Sequence, residues 1–409
     1  IDEAYSYGFD FMALSLDQNG DGLVDSYYAF VEYVLDGTPA AEAGLQRGDW
    51  IVKIDVKNIT DYTVLYGDDA HEFTLGIFTR EYDAAGTLTG GYFDLKPSTE
   101  LAPNPISMST ARAVEDYPVF KDTIVTSDGG KKVGYLAYNH FSRGVDDEAD
   151  TDYDDQLRGL SRKFKTAGVE EFVLDLRYNN GGFLTCALLL STMLAPEAAI
   201  GQEACSLVYN DKMSLKYDYS YNFMTQYLNQ SPENPTGPKG ENLNLPRLYV
   251  LTSGMTASAS EMVINCLRPY YTVTLIGSQT EGKNVGSMPY DTSDGKWIMH
   301  PIVSRISNSA GFSDYSDGFP PDYELYEFYE LQGGGAFPLD SRDIYPLGDP
   351  KERMFAAALT HIDTGSITRA TTTRTLVPPS GRYKVIQNVS ALRKPTNGVI
   401  LDRNRGINH

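Results

Sequence analysis

Glu171-Phe172-Val173-Leu174-Asp175-Leu176-Arg177-Tyr178-Asn179-Asn180-Gly181-Gly182 is the stretch that settles the fold class. Its first half is a short apolar run, the pattern of a strand buried on both faces. Its second half is a polar turn ending in two glycines, which let backbone approach a neighbour where a side chain would not fit. Phe183 to Leu194 then reads as a helix. On either side the same alternation repeats. Val133-Gly134-Tyr135-Leu136-Ala137-Tyr138 is a buried-type strand, and Asp152 to Ala167 carries Leu157, Leu160 and Phe164 at helical spacing. Leu248-Tyr249-Val250-Leu251-Thr252 is another strand, followed by a helix from about Ser258 to Leu267, and Val273-Thr274-Leu275-Ile276-Gly277 is one more. Strands alternating with helices predict a layered α/β domain with a largely parallel sheet.

The chain before this region has a different texture. Phe9, Phe11, Ala13 and Leu14 begin a strand, and Tyr27 to Leu35 is a second β-rich run. Between them, Asp17-Gln18-Asn19-Gly20-Asp21-Gly22 reads as a hairpin turn built on Asn-Gly and Asp-Gly. Its spacing copies the first half of a calcium loop, but Tyr28 stands where a bidentate Glu is needed. Thr38 to Leu45 is a short helix with Pro39 in its first turn and Gly44 near its end. Gly48 to Ile54 resumes the sheet, and Pro103-Asn104-Pro105 marks a boundary. The reading is a β-rich module over 1–101, an α/β core over 102–380 and a tail over 381–409. The tail is expected to be an edge strand or a polar extension. Residues 203–247, rich in Tyr, Asn and Pro, are expected to form hairpins or loops.

Composition removes several function classes. A formal charge of -21 disfavours nucleic acid, whose phosphates call for a basic surface. No apolar run approaches the roughly 20 residues of a membrane helix. The five histidines are scattered, and Cys186, Cys205 and Cys266 match neither a zinc motif nor a disulfide framework. The thiols are expected to be buried and free, and neither a metal nor an organic cofactor is implied. Asp10, Asp146, Asp147 and Asp150 to Asp155 are assigned to solvated acidic faces or loops.

The chemistry is carried by Thr256-Ala257-Ser258-Ala259-Ser260-Glu261, with Lys283 placed 25 residues after Ser258 in Glu281-Gly282-Lys283. A serine hydroxyl needs a base to become a nucleophile. Lysine serves only as the free amine, and at the ordinary pKa of about 10.4 fewer than about one in a thousand are neutral at pH 7. Burial in an apolar setting lowers that value by about 3 or more. Leu275-Ile276-Gly277 leads into the lysine turn as such a setting. The oxyanion of acyl transfer needs fixed N–H donors. Ala259 at the helix start supplies one, and Gly181 or Gly182 the other. Ser258-x-x-Glu261 is also a capping box, which offers Ser258 a purely structural role. Ser253 and Ser260 are the competing nucleophiles, and Asp175 and Arg177 read as structural.

Two sets of motifs resemble a known family. Thr38-Pro39-Ala40-x-x-Ala43-Gly44-Leu45-x-x-Gly48-Asp49-x-Ile51 resembles the PDZ module of bacterial proteases. Leu174 to Gly182, Thr256 to Glu261 and Gly277-x-x-Thr280-x-Gly282-Lys283 follow it in the order seen in carboxyl-terminal processing, or tail-specific, proteases. Gly318-Phe319-Pro320-Pro321-Asp322 and Leu347-Gly348-Asp349-Pro350 extend the likeness. The resemblance implies a ClpP/crotonase-like layered α/β protease core with a preceding PDZ-like module. It implies a Ser-Lys dyad of Ser258 and Lys283 cleaving proteins or peptides, with Glu261 near the dyad. Tyr7-Gly8-Phe9 matches the place where such modules take a peptide carboxylate, and the peptide would add as a strand beside the one that follows. It further implies a periplasmic or otherwise secreted protein whose helical leader and signal segment lie outside this chain.

Two departures stand out. Many members carry Gln four residues after the lysine, where this chain has Ser287, and some carry Asp where it has Pro269. Ser287 is the candidate to orient the amine in place of that Gln. The departures keep a non-hydrolytic peptide-binding scaffold open. A crotonase-like acyl-CoA enzyme shares the layered core, but the acidic charge and the PDZ-like module weigh against it.

Overall fold

Phe9–Asp17 (β1) and Ser26–Val34 (β2) are buried along almost their whole length, so both faces of their sheet must be covered. Side chains alternate between faces with a period of two. Phe9, Phe11, Ala13, Ala29, Val31 and Ile51 share one core. Leu14, Phe30, Trp50 and Val52 point the other way and meet Phe328. Each such aromatic or aliphatic side chain contributes about 1.5–3 kcal/mol by leaving water. A computed structural model of the chain describes residues 5–367 apart from 18–20, 68, 146–149, 213–218, 294–295 and 333–334, together with 382–386 and 399–400.

The short helix Pro39–Glu42 (α1) is capped by Thr38, whose hydroxyl accepts from the Ala41 N–H. Trp50–Ile54 (β3), His71–Tyr82 (β4) and Leu88–Leu95 (β5) complete the sheet in the order β1-β2-β3-β4-β5, and the strand Arg382–Ile386 lies outside β1. These elements form a unit of Ile1–Asp116, Tyr326–Arg353 and Thr368–Lys394. The boundary expected after residue 101 therefore falls inside it. The Asn104 side chain accepts from the Leu75 N–H at 2.8 Å and donates to its carbonyl at 2.9 Å, tying the Pro-Asn-Pro segment to β4. Asp17 and Asp21 accept from Gly22 and Leu23 in the turn between β1 and β2, whose Asn19-Gly20 lies outside the described residues.

The second unit comprises Tyr117–Leu325, Met354–Ile367 and Pro395–His409. Its central sheet contains Val119–Thr126 (β6), Lys132–Tyr138 (β7), Glu171–Asp175 (β8), Arg247–Thr252 (β11), Thr272–Gly277 (β12) and Tyr323–Glu324 (β15) in that spatial order. Only β6 runs antiparallel, and β7, β8, β11, β12 and β15 are parallel. Asp152–Ala167 (α2), Leu184–Leu194 (α3) and Ala259–Leu267 (α4) bury one face with Leu136, Leu174, Val250 and Leu275. Arg353–Thr364 (α5) buries the other, setting Phe355 and Ala358 against Tyr135, Val173 and Leu251. The parallel α/β reading holds.

A second sheet was not foreseen. Glu203–Tyr209 (β9), Tyr219–Asn222 (β10), Val285–Ser287 (β13) and Ile302–Asn308 (β14) pair in the order β10-β9-β14-β13, with Val399–Ile400 outside β13. The tail thus supplies a strand to each unit. The three cysteines are buried and free, as expected. The acidic run is not wholly solvated. Asp154 and Asp155 are buried beside Arg143 and Arg158, with nitrogen–oxygen distances of 3.7 and 2.6 Å. Asp10 is buried as well, and Asp146 and Asp147 lie outside the described residues.

Candidate active site

Three loops leave the carboxyl ends of β8, β11 and β12, the end of a parallel sheet where ligands are taken. Each is tied to the next by backbone and side-chain hydrogen bonds. In the first loop, the Asn179 side chain donates to the Tyr138 carbonyl at 2.7 Å and accepts from the Gly181 N–H at 2.9 Å. The Asn179 carbonyl accepts from the Ala257 N–H and the Ser260 hydroxyl, both at 3.0 Å. The Thr256 hydroxyl donates to the Leu176 carbonyl at 2.8 Å, and the Ser253 hydroxyl donates to that of Arg177. Beneath the loop, Asp175 and Arg177 form an ion pair at 2.8 Å, each side chain 1% exposed, with the Tyr135 hydroxyl donating to Asp175 at 2.6 Å. Their structural reading stands.

Ser258 immediately precedes α4 with φ 61° and ψ -114°, a backbone state that non-glycine residues avoid and that costs about 1–3 kcal/mol. Its side chain is fully buried, yet its Oγ has no hydrogen-bond partner among the described residues. Ser253 and Ser260, by contrast, spend their hydroxyls on carbonyls of the first loop. Ser258 and Glu261 stand in the capping-box arrangement, with the Glu261 carboxylate accepting from the Ser258 N–H at 2.9 Å, but the Ser258 hydroxyl facing the Glu261 N–H makes no hydrogen bond of ordinary geometry.

That carboxylate joins the second loop to the third. One Glu261 oxygen accepts from the N–H groups of Ser258 and Lys283, at 2.9 and 2.8 Å. The other accepts from the Thr280 hydroxyl at 2.6 Å and the Gly282 N–H at 2.7 Å. Thr280 in turn accepts from the Phe319 N–H at 2.7 Å. Burial pushes the Glu261 carboxyl up, and the four donors pull it back without cancelling that effect. The backbones of Ser258 and Lys283 are therefore held by a single group. Their side chains are not hydrogen-bonded to each other, because the Ser258 hydroxyl makes no such bond. Lys283 is half-buried, less enclosed than the sequence suggested, and Ser287 is fully buried in β13.

The glycine pair abuts the serine. A Cβ on Gly181, at φ +107°, would sit 2.6 Å from the Ser258 Cβ, and one on Gly182 would sit 2.1 Å from the Phe141 carbonyl oxygen. The Gly181 N–H is already held by Asn179. No hydrogen bond found among the described residues uses the N–H of Gly182 or Ala259. Of the three expected oxyanion donors, these two are uncommitted. Sequence reading missed Asn179 and Thr280. Both lie inside the quoted motifs, but much of their work is done by a main-chain carbonyl or by a hydroxyl that looks ordinary in a loop.

In the first unit, Gly8 takes φ +85° against Thr38, whose side chain would lie 2.2–2.5 Å from any Cβ there. Its N–H donates to the Ser6 hydroxyl at 3.0 Å, and its carbonyl accepts from the Leu35 N–H at 2.8 Å. Phe9 is buried and pairs with Val34. On the outer edge of β1, Ala13 to Asp17 is paired antiparallel with Arg382–Ile386.

Comparison with known proteins bears on these features. Residues 132–325 match the model of peptidase family S41, and residues 30–67 match that of the PDZ domain. A solved structure of a putative S41 protease from Bacteroides fragilis is 35% identical, covers 90% of this chain and 85% of its own, and superposes with a TM-score of 0.72. The carboxyl-terminal-processing protease of Synechocystis is 26% identical over 70% of this chain and 57% of its own length. The carboxy-terminal processing protease CtpA of Bacillus subtilis is 24% identical over 85% of this chain and 62% of its own length. The chain spans between about half and three-fifths of these curated relatives.

Proposed function

Since the chain belongs to peptidase family S41, we propose that it is a serine endopeptidase working through Ser258 and Lys283. The observation that carries this reading is the Ser258 hydroxyl, buried and without a hydrogen-bond partner among the described residues, on a strained turn at a helix start. Ser258 Oγ attacks the scissile carbonyl. Lys283 Nζ, as the free amine, takes the hydroxyl proton and then delivers it to the departing amine. The N–H groups of Gly182 and Ala259 hold the oxyanion, and water hydrolyses the acyl-enzyme. Glu261 acts as a positioning residue through the backbones of both partners. The Ser258–Lys283 hydrogen bond forms when substrate closes the site, since such bonds are commonly long or absent before substrate binds. Ser287, four residues after Lys283, is the candidate to orient the amine.

The substrates are proteins or peptides held as extended chains, and nucleic acid is not among the ligands. The PDZ-like module assists by taking a peptide as an added strand beside Gly8 and Phe9. We place the working protein in the periplasm or cell envelope, on the family resemblance, which fractionation of the source cells would check. The test is hydrolysis of unfolded casein by wild type, Ser258→Ala and Lys283→Ala. Each variant is expected to lose at least about 10³-fold in kcat. Activity that survives both substitutions removes the dyad. The missing Ser258–Lys283 hydrogen bond favours one rival, a scaffold that binds peptides without cleaving them. A fluorophosphonate separates the two, because only an activated Ser258 is labelled.

A further inference from the structure

Val399–Ile400 lies between two segments that flank the candidate active site. On one side it pairs in parallel with β13, Val399 opposite Gly286 and Ile400 opposite Ser287. On the other, the Ile400 N–H donates to the Gly182 carbonyl at 2.9 Å, and Ile400 bridges Phe183. Gly182 follows the glycine that abuts Ser258, and β13 begins two residues after Lys283. Ile400 is only 9% exposed there. A two-residue strand is thus held by main-chain pairing between the glycine loop and the strand that follows the lysine.

Main-chain pairing of this kind reads an extended backbone and tolerates many side chains. A peptidase for unfolded polypeptides needs such a seat beside its nucleophile. We propose that this seat receives the main chain of extended polypeptide substrates, and that the chain's own Val399–Ile400 fills it as a built-in competitor. The proposal rests on the peptidase reading above. Tethering gives the tail strand an effective concentration on the order of millimolar, so a substrate has to displace it rather than enter an open groove. The first unit holds the tail in a similar way. Arg382–Ile386 runs antiparallel along β1 with its later residues nearer Gly8, and Tyr383 sets its ring edge-on to Phe78 and Phe93 and tilted to Tyr28. One terminal stretch therefore contributes an added strand to each unit.

The experiment has two arms on the full chain. In the first, hydrogen exchange is followed at the Ile400 amide of Ser258→Ala, with and without saturating unfolded casein. The amide is expected to be protected alone and to exchange faster with casein. No protection without casein, or no change on adding it, overturns the proposal. In the second, Ile400→Pro removes the donated N–H. If the tail occupies the seat nine-tenths of the time, KM for casein is expected to fall about tenfold with kcat held. An unchanged KM also overturns it. The exchange arm does not need turnover, so it reads the seat even if fluorophosphonate labelling shows that Ser258 is not a nucleophile.

Discussion

Glu261→Gln is the sharpest probe of how the site is held. The substitution keeps the shape, removes the charge and replaces one acceptor oxygen with an NH2 donor. Four donors face the carboxylate, two on each oxygen. The amide oxygen satisfies at most one pair. If the NH2 turns toward Thr280 and Gly282, the Gly282 N–H is stranded, and the Thr280 oxygen already accepts from Phe319. If it turns the other way, the N–H groups of Ser258 and Lys283 are both stranded. Two hydrogen bonds to a charged acceptor are worth about 3–6 kcal/mol together. Neutralising the group returns part of that, because burial is what pushes the Glu261 carboxyl up. The expected net loss is about 2–4 kcal/mol, a large share of a typical domain's stability.

The loss falls on the backbones that place Ser258 and Lys283, so chemistry should suffer more than binding. A displacement of about 1 Å costs on the order of 10²-fold, and kcat for casein should fall by that factor with KM little changed. Exchange at the amides of Ser258, Gly282 and Lys283 should accelerate in the same variant. Glu261→Asp, shorter by one methylene, should not rescue it. If Glu261→Gln keeps wild-type kcat and the three amides exchange as before, the carboxylate does not hold the two loops together and the reasoning fails.

Other substitutions test neighbouring parts. Gly181→Ala puts a Cβ 2.6 Å from that of Ser258 at φ +107°, so hydrolysis should collapse and thermal stability fall by at least about 1–3 kcal/mol. Asp175→Asn leaves Arg177 buried without its counter-charge, and chemical denaturation of the second unit should show a loss of about 3–5 kcal/mol. Ser258→Gly removes an unpartnered hydroxyl and relaxes the positive φ. After the entropy cost of glycine, melting should shift toward about 1–2 kcal/mol more stability while casein hydrolysis disappears. His361 lies between the Tyr249 and Tyr323 hydroxyls, both at 2.9 Å, and burial, with Arg247 nearby, holds its pKa below the ordinary 6.5. The folded state then binds fewer protons than the unfolded one just below pH 6.5. The His361 contribution to stability is therefore full above that pH and declines as pH falls toward the lowered folded value, a slope that denaturation of His361→Gln should lack.

The parallel sheet was legible because burial on both faces makes Phe172 to Leu174 and Leu248 to Leu251 continuous apolar runs, and Val273 to Ile276 nearly so, broken only by Thr274. The second sheet was not. Ile302–Asn308 alternates with Ser and Arg, Val285–Ser287 is three residues long, and Ser206 finds its partner Ser307 only across the whole intervening chain. Local pattern carries no record of such distant pairing. The module boundary was misplaced for a related reason. Phe328 and Ala336 complete a core begun by Leu14, Phe30 and Trp50, and nothing in either segment names the other. Ser258, Glu261 and Lys283 were readable from spacing. The hold that Asn179 exerts through its carbonyl was not, because every residue has a carbonyl.

Two penalties coincide at Ser258, and their coincidence is the physical argument for its role. A serine that merely caps a helix takes an extended backbone and gives its oxygen to an N–H of the first turn, for a gain of about 1 kcal/mol. Ser258 does neither. Its backbone is left-handed, and its buried oxygen makes no hydrogen bond of ordinary geometry among the described residues. The strain costs about 1–3 kcal/mol and the stranded hydroxyl a similar amount. Both persist because the surroundings leave no alternative. Glu261 takes the Ser258 N–H, the Asn179 carbonyl takes the Ala257 N–H and the Ser260 hydroxyl, and Gly181 lies against the Ser258 side chain. Three residues, two on the first loop and one in α4, thus hold the surroundings so that one hydroxyl stays uncommitted. That arrangement works against stability, and it is what a nucleophile requires, since an oxygen already engaged by the backbone cannot attack.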